Sequence, residues 1–355
     1  MTRITDNDSD SWSPTWSPDG QTLYFITNRT GGIGLWRTRL DVQAQPLGAA
    51  EAVPVPTAFV AFPRAGATGD LVYADANARR NIELLSFDAQ RGTVTGPLRQ
   101  VTNGTDFWMM PRPSPRGEWV TFVRAGLTKD QGVFTAHRDG SQLRRLTDNA
   151  GDHEPDISPD KQRIAFDSTR GGAAGIWLID ADGGNLQRLT PSDATAAWTN
   201  PRWSPDGRMI AARQQPGNRV VVFDANRPSA APSLILPVPE GLEMSSMPLS
   251  VARLAWSSDG RQLAARFGTL LVIYSLEHGT YRTTPMRGGI VGWPPGPFLV
   301  IDRWVERRLA VLDTRTWETR EVPYAPHLMR DDRLMLSADG GSWPSSAARI
   351  TPTFG

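Results

Sequence analysis

The chain has 355 residues, with 38 basic and 37 acidic side chains and a formal net charge of +1. Lys129 and Lys161 are its only lysines, leaving 36 arginines, and 27 Asp stand against 10 Glu. The near-zero charge argues against a general nucleic-acid binder, and the 33 Gly and 29 Pro argue against long helices. A 39% hydrophobic fraction is enough for a packed core, so a turn-rich all-β chain remains.

In chain order the elements repeat. Arg3-Ile4-Thr5-Asp6-Asn7 reads as a lone blade-closing strand, matching Arg145-Leu146-Thr147-Asp148-Asn149 nearly letter for letter. Next comes the turn Ser17-Pro18-Asp19-Gly20, the strand Leu23-Tyr24-Phe25-Ile26 and a second apolar run, Gly34-Leu35-Trp36. Pro fixes φ at the turn's second position, Asp hydrogen-bonds its own backbone, and Gly takes the positive φ. The turn returns as Phe62-Pro63-Arg64-Ala65-Gly66, Ser114-Pro115-Arg116-Gly117, Ser158-Pro159-Asp160-Lys161, Ser204-Pro205-Asp206-Gly207, Ser257-Ser258-Asp259-Gly260 and Trp293-Pro294-Pro295-Gly296. Each is followed by two alternating apolar runs and, in several units, by a Leu-x-x-Leu/Val-Thr strand such as Leu186–Thr190. No segment carries a capped 3.6-residue period.

Four short strands repeated every 40–50 residues point to a β-propeller. Aligning the turns at 17, 63, 114, 158, 204, 257 and 294, with a weak last unit near Arg330, gives eight blades in one domain spanning 1–355, with seven as the alternative. The expected blades are 10–55, 57–102, 106–147, 152–190, 198–239, 251–285, 287–323 and 327–355. The last takes its third strand from 347–353 and its fourth from residues 1–6, which hides an edge that would otherwise template aggregation.

The consensus, Leu-Thr-Asp, then Pro-x-Trp-Ser-Pro-Asp-Gly, Ile-Ala-Phe, Ser-x-Arg-x-Gly, Ile-Trp and Asp-x-Asp-Gly, is carried most fully by residues 144–190. Arg145-Leu146-Thr147-Asp148, Pro155, Ser158-Pro159-Asp160, Ile164-Ala165-Phe166, Arg170-Gly171, Ile176-Trp177 and Asp182-Gly183 all fit it. Residues 3–40 and 198–224 follow well, and 241–355 drift. The pattern resembles the WD-repeat-like propeller of the TolB family. TolB itself has an extra N-terminal domain with no counterpart in this sequence, so the expectation is a TolB-like chain rather than TolB proper. The resemblance implies an interaction platform, the sensory or scaffolding half of a bacterial regulator, or the non-catalytic propeller of a prolyl-oligopeptidase-like hydrolase.

Motifs for chemistry are sparse. There is no Gly-x-Ser-x-Gly and no P-loop, and the absence of cysteine removes disulfides, thiolate metal sites and Cys nucleophiles. The N-terminus lacks the apolar run of a signal peptide, and no stretch approaches a membrane span. A cytoplasmic monomer is expected if Met1 is the natural start, and a periplasmic or extracellular piece if the chain is an excised domain.

His137, His153, His278 and His327 are the four histidines. His153, beside Glu154 in Asp152-His153-Glu154-Pro155-Asp156, is the candidate ligand or acid/base group at one mouth of the channel. The plainer reading is a solvated loop histidine. Asp6, Asp8 and Asp10, and likewise Asp148 and Asp152, are spaced as a Ca2+ loop begins, but lack its Gly and distant Glu, so turn hydrogen bonds are the plainer role. Trp12, Phe107-Trp108 and Trp198, with Asn200, are candidate rim contacts for a peptide, protein loop or sugar. The alternative is that they pack between blades, as Trp36, Trp177, Trp203 and Trp256 are expected to do. Residues 226–250, with five prolines, read as a long adaptable connection. The expectation is a non-enzymatic propeller binding a protein, peptide or small ligand at the channel mouth. No cofactor other than Ca2+ is suggested. The alternatives are a glycan lyase or hydrolase working through His153, or an accessory propeller detached from its hydrolase.

Overall fold

The turn recurs with the same serine–aspartate hydrogen bonds at four copies. In the computed structural model, Ser17 Oγ donates to Asp19 Oδ1 (2.5 Å) and accepts from Thr22 N (2.9 Å), while Asp19 Oδ1 accepts from Gln21 N (3.0 Å). Gly20, at φ 69°, donates its N–H to Ser17 O. Ser158 with Asp160, Ser204 with Asp206 and Ser257 with Asp259 repeat the arrangement, with Oγ to Oδ1 distances of 2.6 Å. At Ser114 an arginine replaces the aspartate, and the serine still caps Trp119 N. The tetrapeptide thus satisfies its own donors and acceptors without help from the rest of the fold.

The structure describes residues 4–5, 11–27, 29, 34–55, 60–66, 68, 70–75, 79–88, 91, 93–94, 97, 99–104, 106–114, 117–125, 130–192, 196–239, 254–267, 270–285, 288–303, 308–322, 335–336 and 345–353. All its regular elements are strands. Blade one is β1 (Ser11–Trp16), β2 (Thr22–Thr27), β3 (Gly34–Arg39) and β4 (Glu51–Ala52). The second repeat supplies β5 (Val60–Ala65), β6 (Leu71–Asp75), β7 (Arg79–Asp88), β8 (Thr93–Val94) and β9 (Arg99–Gln100). Blade three is β10 (Phe107–Pro113), β11 (Trp119–Ala125), β12 (Gly132–His137) and β13 (Arg144–Arg145). Blade four is β14 (Asp152–Ile157), β15 (Arg163–Ser168), β16 (Gly175–Asp180) and β17 (Gln187–Arg188). Blade five is β18 (Ala197–Trp203), β19 (Met209–Gln215), β20 (Arg219–Asp224) and β21 (Leu234–Ile235). Blade six is β22 (Leu254–Trp256), β23 (Gln262–Phe267), β24 (Leu270–Ser275) and β25 (Thr280–Pro285). Blade seven is β26 (Gly289–Gly292), β27 (Phe298–Arg303), β28 (Arg308–Asp313) and β29 (Thr319–Val322), followed by β30 (Met335–Leu336) and β31 (Ser345–Thr353).

Blades one, four, five, six and seven are four-stranded sheets in sequence order, and β10 to β13 form the same run within a larger sheet. Six of the eight expected units are therefore set out as four-stranded blades. The second repeat gives two hairpins instead, β5 with β6 and β7 with β9, and no pairing links β6 to β7 among the described residues. β7 meets β10 through a single parallel bridge, Phe107 with Arg80, and β31 lies beside β7 in that sheet. The N-terminal closing strand expected at residues 1–6 lies outside the described residues except for Ile4 and Thr5. By contacts the chain forms two compact bodies. One holds Met1–Arg79 with Ala125–Gln131 and Thr353–Gly355; the other holds Arg80–Arg124 with Gly132–Pro352.

The expected turn registers need two corrections. The second turn begins at Gly66, whose N–H bonds Asp70 O as Ser17 N bonds Thr22 O, and Pro63 lies inside β5. The seventh begins at Trp293, because Thr314 N bonds Pro297 O as Leu40 N bonds Gln21 O. The fourth strand of blade five, β21, also lies within the stretch expected to be one long connection; Met244 and Met247 fall outside the described residues.

In the larger body the first strands β10, β14, β18, β22 and β26 lie side by side in that order. Their blades pack face to face: Leu178, Trp203 and Phe223 share one cluster, and Val222, Trp256 and Tyr274 share the next. Each buried aromatic or aliphatic side chain contributes roughly 1.5–3 kcal/mol. Trp203 and Trp256 are buried as expected. Trp36 and Trp177 are only half-buried, and each carries an arginine on its face: Arg29 at 4.8 Å and Arg170 at 5.4 Å. The same arginines also cover Phe25 and Phe166, which explains their recurrence at one blade position.

Candidate functional site

A feature not anticipated from sequence organises the site. The first strands are bulged: pairing shifts register between Trp12 and Thr15, Ala61 and Arg64, His153 and Asp156, and Thr199 and Arg202. At the bulge sits a non-glycine residue with left-handed backbone: Ser13 (φ 50°), Met110 (54°), Glu154 (47°) and Asn200 (57°). Such residues cost of order 1–3 kcal/mol each and persist where their surroundings over-determine them. The sequence does carry a signal. Each is followed by a proline three residues before the turn: Pro14, Pro111, Pro155 and Pro201. Proline has no N–H, so it fits where the ladder loses a bond. Pro63 aligns with these prolines, which is why it misled the turn alignment.

Blades three, four and five bring charged groups together at these bulges. Glu154, buried, accepts from Arg202 Nη2 at 2.9 Å and faces Arg112 Nη2 at 3.8 Å. Both guanidinium groups are themselves buried. Glu154 N donates to Met110 Sδ at 3.4 Å. Two further carboxylates of blade four reach the backbone of blade five. Asp167 Oδ2 accepts from Asn200 N at 2.7 Å, and Asp156 Oδ2 accepts from Trp203 N at 2.8 Å. Burial pushes the Asp156 carboxyl up to about 6, against the opposing pull of Arg112 and the Trp203 N–H. Burial also raises Asp167 well above the usual carboxylate range, with the negative charges of Glu154 and Asp152 adding to it. Asp152, fully buried, is ion-paired with Arg170, whose Nε donates to Ser168 Oγ at 3.1 Å. The Arg202 Nε–H has no hydrogen-bond partner among the described residues.

The expected site residues are distributed as follows. His153, half-exposed on β14 opposite Asp167, lies at this cluster, as do Glu154 and Asn200. Trp108 and Trp198 do not stand at an exposed rim, being only 2% and 3% exposed. Trp108 lies edge-on to Phe122 and Phe134, both at 5.1 Å, and Trp198 packs against Phe223 at 6.3 Å. Each faces the core shared with the preceding repeat, Trp198 with Leu178 and Leu189 and Trp108 with Ile82 and Leu84, which is the alternative of packing between blades. Trp12 is half-buried on β1, opposite Ile26, in the other compact body. Asp148 is exposed, and Asp152 is held by Arg170 rather than left to bind a cation. Asp6, Asp8 and Asp10 lie outside the described residues. Among those described, no group of three His, Asp or Glu side chains is placed to hold a metal. The residues missed at sequence level are Arg112, Asp156, Asp167 and Arg202.

Comparison with known proteins agrees with the repeat. The family description "TolB beta propeller domain" matches residues 91–235. An uncharacterised protein of Agrobacterium fabrum is 30% identical over 139 residues, covering 36% of this chain and 46% of that protein. Tricorn protease homolog 1 of Streptomyces coelicolor is 35% identical over 100 residues, covering 28% of this chain and 9% of that protein. The chain thus spans less than half the length of these curated relatives. Among solved structures, a puromycin-hydrolyzing peptidase of Mycobacterium tuberculosis aligns at TM-score 0.50 and 14% identity, over 92% of this chain and 55% of that one, a likeness of fold. With the repeated turn and the four-stranded blades on either side of residues 91–235, the chain is a β-propeller that resembles the TolB family.

Proposed function

We propose that the chain is a non-enzymatic binding propeller whose bulged first strands in blades three to five take a protein or peptide partner. The observation that carries this reading is the convergence of Arg112 and Arg202 on the single carboxylate Glu154, with the Arg202 Nε–H left over, at backbone positions held in a strained conformation. A guanidinium with an unused donor, as on Arg202, suits a carboxylate or carbonyl on a partner, and strain retained at several blades is compatible with a binding surface. With Trp108 and Trp198 buried between blades, contact falls to His153 and the charged groups. Trp12 is a separate candidate on blade one.

A pull-down comparing the wild type with an Arg112→Gln/Arg202→Gln variant tests this, with circular dichroism confirming that both are folded. The variant is expected to lose specific partners that the wild type retains, and an unchanged partner set sinks the proposal. A second reading is an accessory propeller within a larger hydrolase. It is favoured by the alignment of nearly the whole chain to about half of the mycobacterial peptidase. The adjoining coding sequence decides it: a following hydrolase domain supports it, and an unrelated gene removes it.

A further inference from the structure

At its bulge the first strand of blade five is held by side chains of blade four as well as by its own sheet. At the bulge of β18 the ladder to β19 is interrupted between Thr199 and Arg202. Two N–H groups flanking that gap, on Asn200 and Trp203, are taken by Asp167 and Asp156. The side chain between them, Arg202, is taken by Glu154. Three carboxyl groups of one blade thus grip three residues, Asn200, Arg202 and Trp203, within a four-residue stretch of the next. Asn200, Arg202 and Trp203 are all buried, so opening the joint means hydrating its carboxyl groups.

We propose that this joint is a proton-sensitive clamp, in which ionisation of Asp156 and Asp167 loosens β18 from blade four and protonation seats it. It does not depend on any partner binding there. The charges facing the two groups come from every neighbouring strand. Asp156 has Arg112 on β10 and Glu154 on its own strand, with Trp203 N ahead. Asp167 has Asn200 N ahead, Glu154 and Asp152 beside it, and His153 opposite on β14. The cations do not cancel the buried negative charge at Asp167: Arg170 is committed to Asp152, and Arg202 to Glu154. Burial raises both carboxyls, so the closed joint prefers them neutral and an opened, hydrated joint prefers them charged. By linkage, raising the pH through the raised values shifts the balance toward opening.

Hydrogen–deuterium exchange of the segment 197–204 tests this in the intact chain. Once the intrinsic pH dependence of exchange is removed, protection of this segment is expected to fall tenfold or more between pH 5 and pH 8. The segment 262–267 of blade six is expected to stay level. Asp156→Asn with Asp167→Asn keeps acceptors in place without charge and is expected to abolish the pH dependence. Equal protection at both pH values in the wild type overturns the proposal, as does an undiminished dependence in the variant. Should the variant not fold, carboxyl-carbon NMR titration of the wild type decides. Midpoints for both aspartates in the ordinary range overturn the clamp; midpoints near or above 6 support it.

Discussion

Aspartate is used in opposite ways at the blade turns and at the joint around the bulges. At the turn end, Asp19 and Asp259 accept from a serine two residues earlier and from the backbone two residues later, so every partner is local. The Ser17 hydroxyl and the Gln21 N–H hold Asp19 below its ordinary value, and Ser257 does the same for Asp259. At the bulge end, Asp156, half-buried, and Asp167, buried, reach into the next blade and are pushed up. One residue type thus builds either a self-contained turn or a joint between blades, according to whether its hydrogen-bond donors lie nearby in sequence or far from it. The turn copies itself faithfully along the chain because it needs nothing else. The joint appears only where the adjoining blade supplies the matching group.

The sharpest way to break this contrast is to remove the centre of the joint. Glu154→Ala strands two buried guanidinium groups and is expected to cost about 3–5 kcal/mol of stability, read as a lowered midpoint in chemical denaturation. A loss no larger than that of a surface substitution would mean the joint is already hydrated. Next in size is Asp156→Asn. A carboxyl raised in the fold stabilises it below the raised value, and that contribution disappears as pH rises through about 6. That loss begins at the ordinary carboxylate value and is complete above about 6, so the amide is expected to gain about 1–2 kcal/mol at pH 8, about half of that at pH 5 and little at pH 3. The turn gives the opposite slope. A carboxyl lowered in the fold stabilises it above the ordinary value, and that contribution is lost as pH falls through the lowered one. Asp259→Ala is expected to cost about 1 kcal/mol at pH 7 and to flatten the acid limb of the stability profile. Equal slopes for the Asp156 and Asp259 variants would erase the distinction between the two ends.

The sequence revealed the turn end far better than the bulge end. Ser-Pro-Asp-Gly is contiguous, so its spacing showed the blade period and most strands directly. The second and seventh turns were displaced because Pro63 belongs to the bulge and Trp293 replaces the serine. His153, Glu154 and Asn200 were found because they sit just before the turn on a first strand. Arg112, Asp156, Asp167 and Arg202 were missed because their partners lie on other blades, 33 to 48 residues away for those joined by a hydrogen bond. Trp108 and Trp198 misled for a related reason. A period-2 strand says that neighbouring residues face opposite sides, but not which side is covered, and a bulge changes the face partway along.

The smallest expected effect tests whether the turn is as self-contained as its repetition implies. Lys161 occupies the position that glycine fills in the other serine turns, at φ 62° against 63° to 71° for Gly20, Gly117, Gly207 and Gly260. The lysine makes the same N–H to Ser158 O bond, so the local chemistry is intact and only the left-handed backbone is unfavourable. Its ammonium is paired with Glu118 of blade three, a contact partly exposed on both sides and worth well under 1 kcal/mol. Lys161→Gly relieves the first and loses the second, while the unfolded chain gains freedom. The expected net is a gain of about 0.5 kcal/mol, seen as a small rise in the denaturation midpoint. A loss instead would show that the lysine's link to blade three outweighs the turn's own geometry, and that this copy of the turn also depends on its neighbour.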